Sequence, residues 1–199
     1  MQEGALSDKL RDLFQPVLLP AARFLGRLGF TPNMLSIIGM LAYVAAALVL
    51  ASGHPLWSAA ILILFSPLDV LDGTLARDSG LVSKFGAFLD ATLDRYEEFF
   101  VYTGLMYYLM AYLQKDPVVA VLVVTALSGS IFVSYARAKA EALGFQCNVG
   151  ILTRFERIVL FIFAIVTGWI EPVLVIISIL TFITTIQRTY EVVRQSRSA

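Results

Sequence analysis

The stretch Met34-Leu-Ser-Ile-Ile-Gly-Met-Leu-Ala-Tyr-Val-Ala-Ala-Ala-Leu-Val-Leu-Ala-Ser52 carries no Asp, Glu, Lys or Arg. A helix crossing about 30 Å of hydrocarbon needs about 20 mainly apolar residues. Residues 34–52 therefore read as a membrane-spanning helix. Five more apolar runs follow, at residues 56–75, 85–113, 117–136, 158–170 and 173–187. Short polar or turn-forming breaks separate them, such as Ser52-Gly53-His54-Pro55 and Gln114-Lys115-Asp116-Pro117. The run at 158–170 is short, which places the start of its helix near Thr153. The expected fold is an all-α integral membrane protein with six transmembrane helices preceded by an amphipathic interfacial helix.

Composition agrees. The 199 residues are 58% hydrophobic, with a mean hydropathy of +0.79. Only 15% are charged, against about 25% in soluble domains. Fifteen basic and fifteen acidic residues leave no net charge. These values argue against a disordered chain, a soluble enzyme and a basic nucleic-acid module. Cys147 is the only cysteine and His54 the only histidine, so an internal disulfide and a Cys/His zinc site are excluded. His54 reads as a surface turn residue.

Six spans place both termini on one side, and fourteen of the fifteen Lys and Arg residues then share that side; only Lys115 does not. The positive-inside rule makes that side cytoplasmic. The expected location is the inner (cytoplasmic) membrane, multi-pass, with both termini and the active site facing the cytoplasm. Residues 1–33 form the N-terminal interfacial segment. Leu6, Leu10, Leu13 and Phe14 recur at helical spacing among charges, and Phe24, Leu25 and Leu28 lie beside Arg23 and Arg27. Thr31-Pro32-Asn33 reads as the turn that starts the first span. Residues 34–191 form the membrane domain, and residues 192–199 a cytoplasmic tail.

Four acids interrupt the apolar runs: Asp69, Asp72, Asp90 and Asp94. A charge at the centre of a spanning helix costs at least about 2.5–3.5 kcal/mol. Asp69 and Asp72 are three apart, Asp90 and Asp94 four apart, and each spacing puts a pair on one side of a helix. The turn between the two helices is short, so the acids converge near the cytoplasmic end. Carboxylates without Cys or His suit hard cations such as Mg²⁺ or Mn²⁺. Structural Asp–Arg pairs and a cation or proton pathway are the other readings of the bare pattern. Gly73, Gly80 and Gly86 leave room for a bulky ligand and favour a phosphate site.

Asp69-x2-Asp72-Gly73-x2-Ala76-Arg77-x8-Gly86-x3-Asp90-x3-Asp94 resembles the complete signature of the CDP-alcohol phosphotransferases. All eight fixed positions match within 26 residues. The resemblance implies transfer from a CDP-linked lipid, CDP-diacylglycerol or CDP-archaeol, to an alcohol. It implies two ions, Mg²⁺ or Mn²⁺, held by Asp69, Asp72 and Asp90, with Asp94 adjoining the metals as the general base. Gly73, Ala76, Arg77 and Gly86 would contact the CDP part. A homodimer is also expected from the family, and no nucleic-acid partner.

The second half carries the acceptor residues. Ser134-Tyr135-Ala136-Arg137-Ala138-Lys139-Ala140-Glu141, Arg154-Phe155-Glu156-Arg157 and Gln187-Arg188 are similar to stretches of the phosphatidylinositol-phosphate and archaetidylinositol-phosphate synthase branch. The order Arg137 then Lys139, and Phe155 in place of proline, depart from that branch. The resemblance implies inositol 3-phosphate as the phosphorylated polyol acceptor, its phosphate bound by Arg137, Lys139, Arg154, Arg157 and Arg188. Glycerol 3-phosphate, the acceptor of phosphatidylglycerophosphate synthases, needs similar charge. A transporter lined by the same acids and a non-catalytic scaffold are alternatives of other classes; short loops and the lack of an evident inverted repeat disfavour the transporter.

Overall fold

The structure, a computed structural model, describes residue 16 and residues 18–197. The expected amphipathic stretch at residues 5–14 lies outside them. The described residues contain no strand. A helical segment at residues 18–27, α1, is followed by α2 (Pro32–Ala51), α3 (Pro55–Phe65), α4 (Leu68–Asp78), α5 (Lys84–Ala111), α6 (Pro117–Ala142), α7 (Arg154–Thr167) and α8 (Ile170–Ser196). Four candidate spans are long and apolar enough to cross a membrane: Pro32–Ala51, Pro55–Asp78, Pro117–Ala142 and Ile170–Ser196. The described residues are thus all-helical, and the chain is a multi-pass membrane protein. Many exposed side chains are large and apolar, among them Leu48, Leu64, Val118 and Phe182. Hydrocarbon, not water, is the solvent such a surface fits.

The helices start where capping chemistry directs. Thr31 is the N-cap of α2, its Oγ1 accepting from the Met34 N–H at 3.3 Å, and Pro32 takes the first turn, where a missing N–H costs nothing. Asp116 caps α6 in the same way through the Val118 N–H at 2.8 Å. The expectation that the short fifth run begins near Thr153 is met by α7, which has Thr153 as its N-cap.

Two prolines act differently from the sequence reading. The run at 56–75 lies within one candidate span, Pro55–Asp78, as expected, but its hydrogen-bond ladder is interrupted at Ser66-Pro67, giving α3 and α4. Pro67 has no N–H to continue the α3 ladder, and its carbonyl instead accepts from Val70 and Leu71, which starts α4. Pro172 was expected in the last turn between spans. It lies in the first turn of α8, which opens at Ile170, and the turn itself is Gly168-Trp169, with Gly168 left-handed at φ 78°.

The chain divides into two compact units. In the unit of residues 9–112, α2 packs against α3, α4 and α5. Gly104 of α5 lets the two backbones approach closely: a Cβ there would stand 2.5 Å from the Ala47 carbonyl oxygen of α2. Ser58 Oγ of α3 donates to the Ala46 carbonyl at 2.8 Å. Ala22 of α1 is fully buried with Leu35, Leu71 and Leu75, and Arg23 grips Asp78 at the end of α4 through three contacts of 2.8–3.1 Å. In the other unit, α8 packs on α6 and α7. Gly129 of α6 faces Thr181 of α8 with no room for a side chain, and Lys115 pairs with Glu171 at 2.7 Å.

Candidate active site

The acids of the signature occupy α4 and α5. Asp69 lies in the first turn of α4, and Asp72 follows one turn later, 4% exposed. Asp72 accepts a 2.5 Å hydrogen bond from Ser36 Oγ of α2 and interacts electrostatically with Asp90 and Asp69. Asp90 and Asp94 are successive turns of α5, both half-buried. Asp94 Oδ2 accepts from Arg95 Nη2 at 3.2 Å, and Arg95 Nη1 stands 4.0 Å from Glu98.

Asp69 and Asp94 come together with a third acid, Glu97 of α5, which the signature does not contain. One carboxylate oxygen from each lies within 4.8 Å of the others. Glu97 is 1% exposed. Its position was readable from helical spacing, because residues three and seven after Asp94 and Asp90 share their face. Gly39 of α2 completes the arrangement. A Cβ on Gly39 would lie 3.3 Å from Asp69 Oδ1 and 3.6 Å from Glu97 Oε1. Neither Ser36 nor Gly39 announces itself in the sequence.

Three carboxylates this close, one of them buried, repel unless a positive group stands among them. The donors are oxygens only, the set that a hard divalent cation prefers. The residues therefore fit Mg²⁺ or Mn²⁺.

The remaining signature residues flank the acids. The Arg77 guanidinium lies over Gly73, one turn back: a Cβ at Gly73 would be 3.3 Å from Nη1. Arg77 is exposed and Ala76 half-buried. Gly86 donates its N–H to Ser83 Oγ at 2.9 Å, and a Cβ on it would meet Asn33 Oδ1 at 3.2 Å. Its lack of a side chain lets the start of α5 approach the start of α2.

The basic residues of the other unit surround the loop at 143–153. Arg188 is 5% exposed; its Nε donates to the Val149 carbonyl at 2.9 Å and its Nη1 to that of Val133. Arg157 is also buried, with Nη1 at 3.4 Å from the Leu152 carbonyl. These two guanidiniums thus hold backbone as well as carrying charge. Gln195 clasps the loop further along, accepting from the Gln146 N–H at 3.0 Å and donating to its carbonyl at 2.6 Å. Arg137 is exposed and pairs with Glu141 Oε1 at 2.7 Å. Lys139 is exposed, and Arg154 is half-buried at the first position of α7. Cys147, buried in the same loop, has its thiol pushed above the usual range by burial.

Oxygen donors that suit a hard cation, with Arg77 beside Gly73 on the same helix, are features that phosphoryl-group transfer in a membrane requires. Residues 30–187 match the CDP-alcohol phosphatidyltransferase family, and the chain belongs to that family and is a transferase. It is 36% identical to the archaetidylinositol phosphate synthase of Pyrococcus horikoshii over 185 residues, covering 92% of this chain and 95% of the relative. It is likewise 36% identical over 151 residues to the phosphatidylinositol phosphate synthase of Mycobacterium tuberculosis, covering 75% and 69%. Crystal structures of the mycobacterial enzyme superpose with a TM-score of 0.80 at 32% identity, one with CDP-DAG bound and one with manganese and citrate. The first covers 89% of this chain and 94% of that one, the second 88% of each.

Proposed function

We propose that the chain transfers a phosphatidyl or archaetidyl group from a CDP-linked lipid to inositol 3-phosphate, releasing CMP. The observation that carries this reading is the pairing of Asp69 and Asp94 across α4 and α5 within the complete family signature. A divalent cation held by Asp69, Asp72 and Asp90, with Asp94 adjoining, supplies neutralising charge to the diphosphate and to the departing CMP. Asp94 takes the acceptor hydroxyl proton as that oxygen bonds to the lipid-side phosphorus and the phosphorus–oxygen bond to CMP breaks. Arg95, at 3.2 Å, orients Asp94 for this task. A carboxylate is a weak base, so its position matters as much as its basicity. Arg77, exposed beside Gly73, binds the CDP diphosphate, and Gly73, Ala76 and Gly86 let the nucleotide lie against backbone.

Arg137, Lys139, Arg154, Arg157 and Arg188 bind the acceptor phosphate. The similarity to inositol phosphate synthases from a bacterium and an archaeon supports that acceptor. The chain crosses the membrane six times, α5 and α7 adding to the four long apolar spans, with both termini and the site cytoplasmic. The placement of fourteen of the fifteen basic residues supports this orientation. The working unit is a homodimer in the inner membrane.

The test is an acceptor screen with purified protein and one CDP-lipid, following CMP release with and without Mg²⁺. Inositol 3-phosphate is the expected acceptor, and a strong preference for glycerol 3-phosphate would overturn it. In the same assay D94N is expected to lose turnover while retaining CDP-lipid binding. Substantial turnover would remove Asp94 from the role of base.

A further inference from the structure

Gln195, in the last turn of α8, grips the same loop as the arginines assigned above to the acceptor. Its Oε1 accepts from the Gln146 N–H at 3.0 Å, and its Nε2 donates to the Gln146 carbonyl at 2.6 Å. A side-chain amide that takes both backbone groups of one residue does the work of a neighbouring strand and fixes that residue in two directions. The amide is itself held, because Nε2 also donates to Glu191 Oε1, one turn back, at 2.8 Å. Both of its N–H groups are thus in use. Gln146 and Gln195 are 49 residues apart, so the clasp joins the loop after α6 to the end of α8.

The residues that follow Gln146 give the clasp its importance. Among the described residues, backbone–backbone hydrogen bonds stop at the Phe145 N–H and resume at the Thr153 carbonyl. Between these points the loop bonds to helix side chains. Asn148 Oδ1 accepts from Arg137 Nη2 at 3.5 Å, and the Val149 carbonyl accepts from Arg188 Nε at 2.9 Å. Leu152 donates its N–H to Thr184 Oγ1 at 3.3 Å and offers its carbonyl to Arg157 Nη1 at 3.4 Å. Gly150 is buried, and a Cβ on it would stand 2.6 Å from Thr184 Cγ2, so the segment lies directly against α8. A loop without a ladder of its own takes its position from such contacts. Arg137, Arg157 and Arg188 are therefore each bonded to a segment whose first residue Gln195 holds. Moving that segment moves the carbonyls that aim two of the guanidiniums.

We propose that Gln195 is a positioning residue for acceptor capture: by clasping Gln146 it sets the segment 146–152 and, through the Val149 and Leu152 carbonyls, the aim of Arg188 and Arg157. The inference rests on the reading of those arginines as the acceptor phosphate site. It draws into that site a residue of the stretch 192–199, which the sequence alone presents as a cytoplasmic tail.

The experiment uses the full chain in nanodiscs with a CDP-lipid, Mg²⁺ and whichever of inositol 3-phosphate and glycerol 3-phosphate the wild type turns over faster. Q195M keeps the length of the side chain and removes both bonds to Gln146. The acceptor KM is expected to rise about fivefold, the effect of losing one ordinary hydrogen bond, with kcat and the KM for the CDP-lipid unchanged. Hydrogen exchange at residues 146–152 is expected to quicken in the same variant. A wild-type acceptor KM in Q195M overturns the proposal, and so does an equal loss towards the CDP-lipid, the mark of a merely structural residue. Q195E provides a second route should Q195M fail to fold. It keeps an acceptor for the Gln146 N–H, loses the donor to the carbonyl and also raises the acceptor KM; an unchanged value counts against the proposal. The double variant Q195M/R188K tests the route through the loop. Its effect on the acceptor KM is expected to be smaller than the product of the two single effects, and full independence overturns the proposal. R188K alone separates the two levels of the argument. If its acceptor KM is that of the wild type, Arg188 does not serve the acceptor and the inference falls with that reading; if R188K raises the KM and Q195M does not, only the role of Gln195 is lost.

Discussion

Ser36 and Asp72 are 36 residues apart in the chain, and the hydroxyl of one donates a 2.5 Å hydrogen bond to the carboxylate of the other. The bond ties α2 to α4 at the level of the signature acids. Ser36 Oγ also lies 3.2 Å from the Pro32 carbonyl, an acceptor that competes with Asp72 for the single hydroxyl proton at longer range. S36A removes a donor that α2 offers to Asp72 while leaving the carboxylate buried. The expected cost is about 1–3 kcal/mol of stability, together with weaker turnover because Asp72 loses its fixed orientation. Thermal melting in detergent and CMP release check the two effects. S36T, which retains the hydroxyl, is expected to recover much of both.

The α2–α5 contact makes a sharper demand. A methyl group on Gly104 would meet the Ala47 carbonyl oxygen at 2.5 Å and its Cα at 2.9 Å, both backbone atoms. Neither can rotate aside. G104A is expected to separate the two helices and destabilise the protein by about 1–3 kcal/mol, the usual range for overpacking. G26A offers the contrast, because its methyl meets only the tip of Leu75 at 2.9 Å. Melting curves of the two variants should differ, with G104A the lower.

Arg188 spans two backbone carbonyls, Val149 and Val133, with one planar group. Lysine carries its donors on a single nitrogen and cannot reproduce a fixed fork. R188K is therefore expected to free the loop at 143–153. Hydrogen exchange of its amides should quicken, and the acceptor KM should rise even though the positive charge is kept. An R188K protein with wild-type exchange in this loop would show that the two bonds do not hold it.

Arg23 and Asp78 make the opposite case. Their geometry is bidentate, but the side chains are 55% and 25% exposed. Proximity to Asp78 raises the Arg23 guanidinium further above its ordinary value, so the pair stays ionised on the arginine side at every accessible pH. Exposed pairs contribute little and are screened by salt. R23Q should lower the melting temperature slightly at low ionic strength, and the difference should vanish near about 1 M salt, where the screening length falls to about 3 Å.

The sequence was most informative where one residue type has one physical use. The uncharged run at 34–52 became α2, and Thr31 and Thr153 begin helices as their capping chemistry requires. Asp69 and Asp94 were placed together by helical spacing and a short turn, and they do meet. Proline was harder to read, since it both ends helices and starts them. Pro67 divides a run expected to be continuous, while Pro172 sits inside a helix expected to begin after it. Glu97 was missed because attention to a spaced signature stops at its last fixed position. Ser36 and Gly39 were beyond reach: their value comes from the packing of α2 on α4 and α5, a contact between distant parts of the chain.

The break at Pro67 has an electrostatic consequence. In one uninterrupted helix Asp69 would lie mid-span, with peptide dipoles cancelling head to tail around it. Because α4 opens at Leu68, Asp69 falls in a first turn, where unsatisfied amide hydrogens carry about half a positive charge. A carboxylate there gains about 0.3–1 kcal/mol from the macrodipole at an exposed site, and more where water is excluded. A residue with no charge of its own thus helps a negative charge to reside among apolar spans.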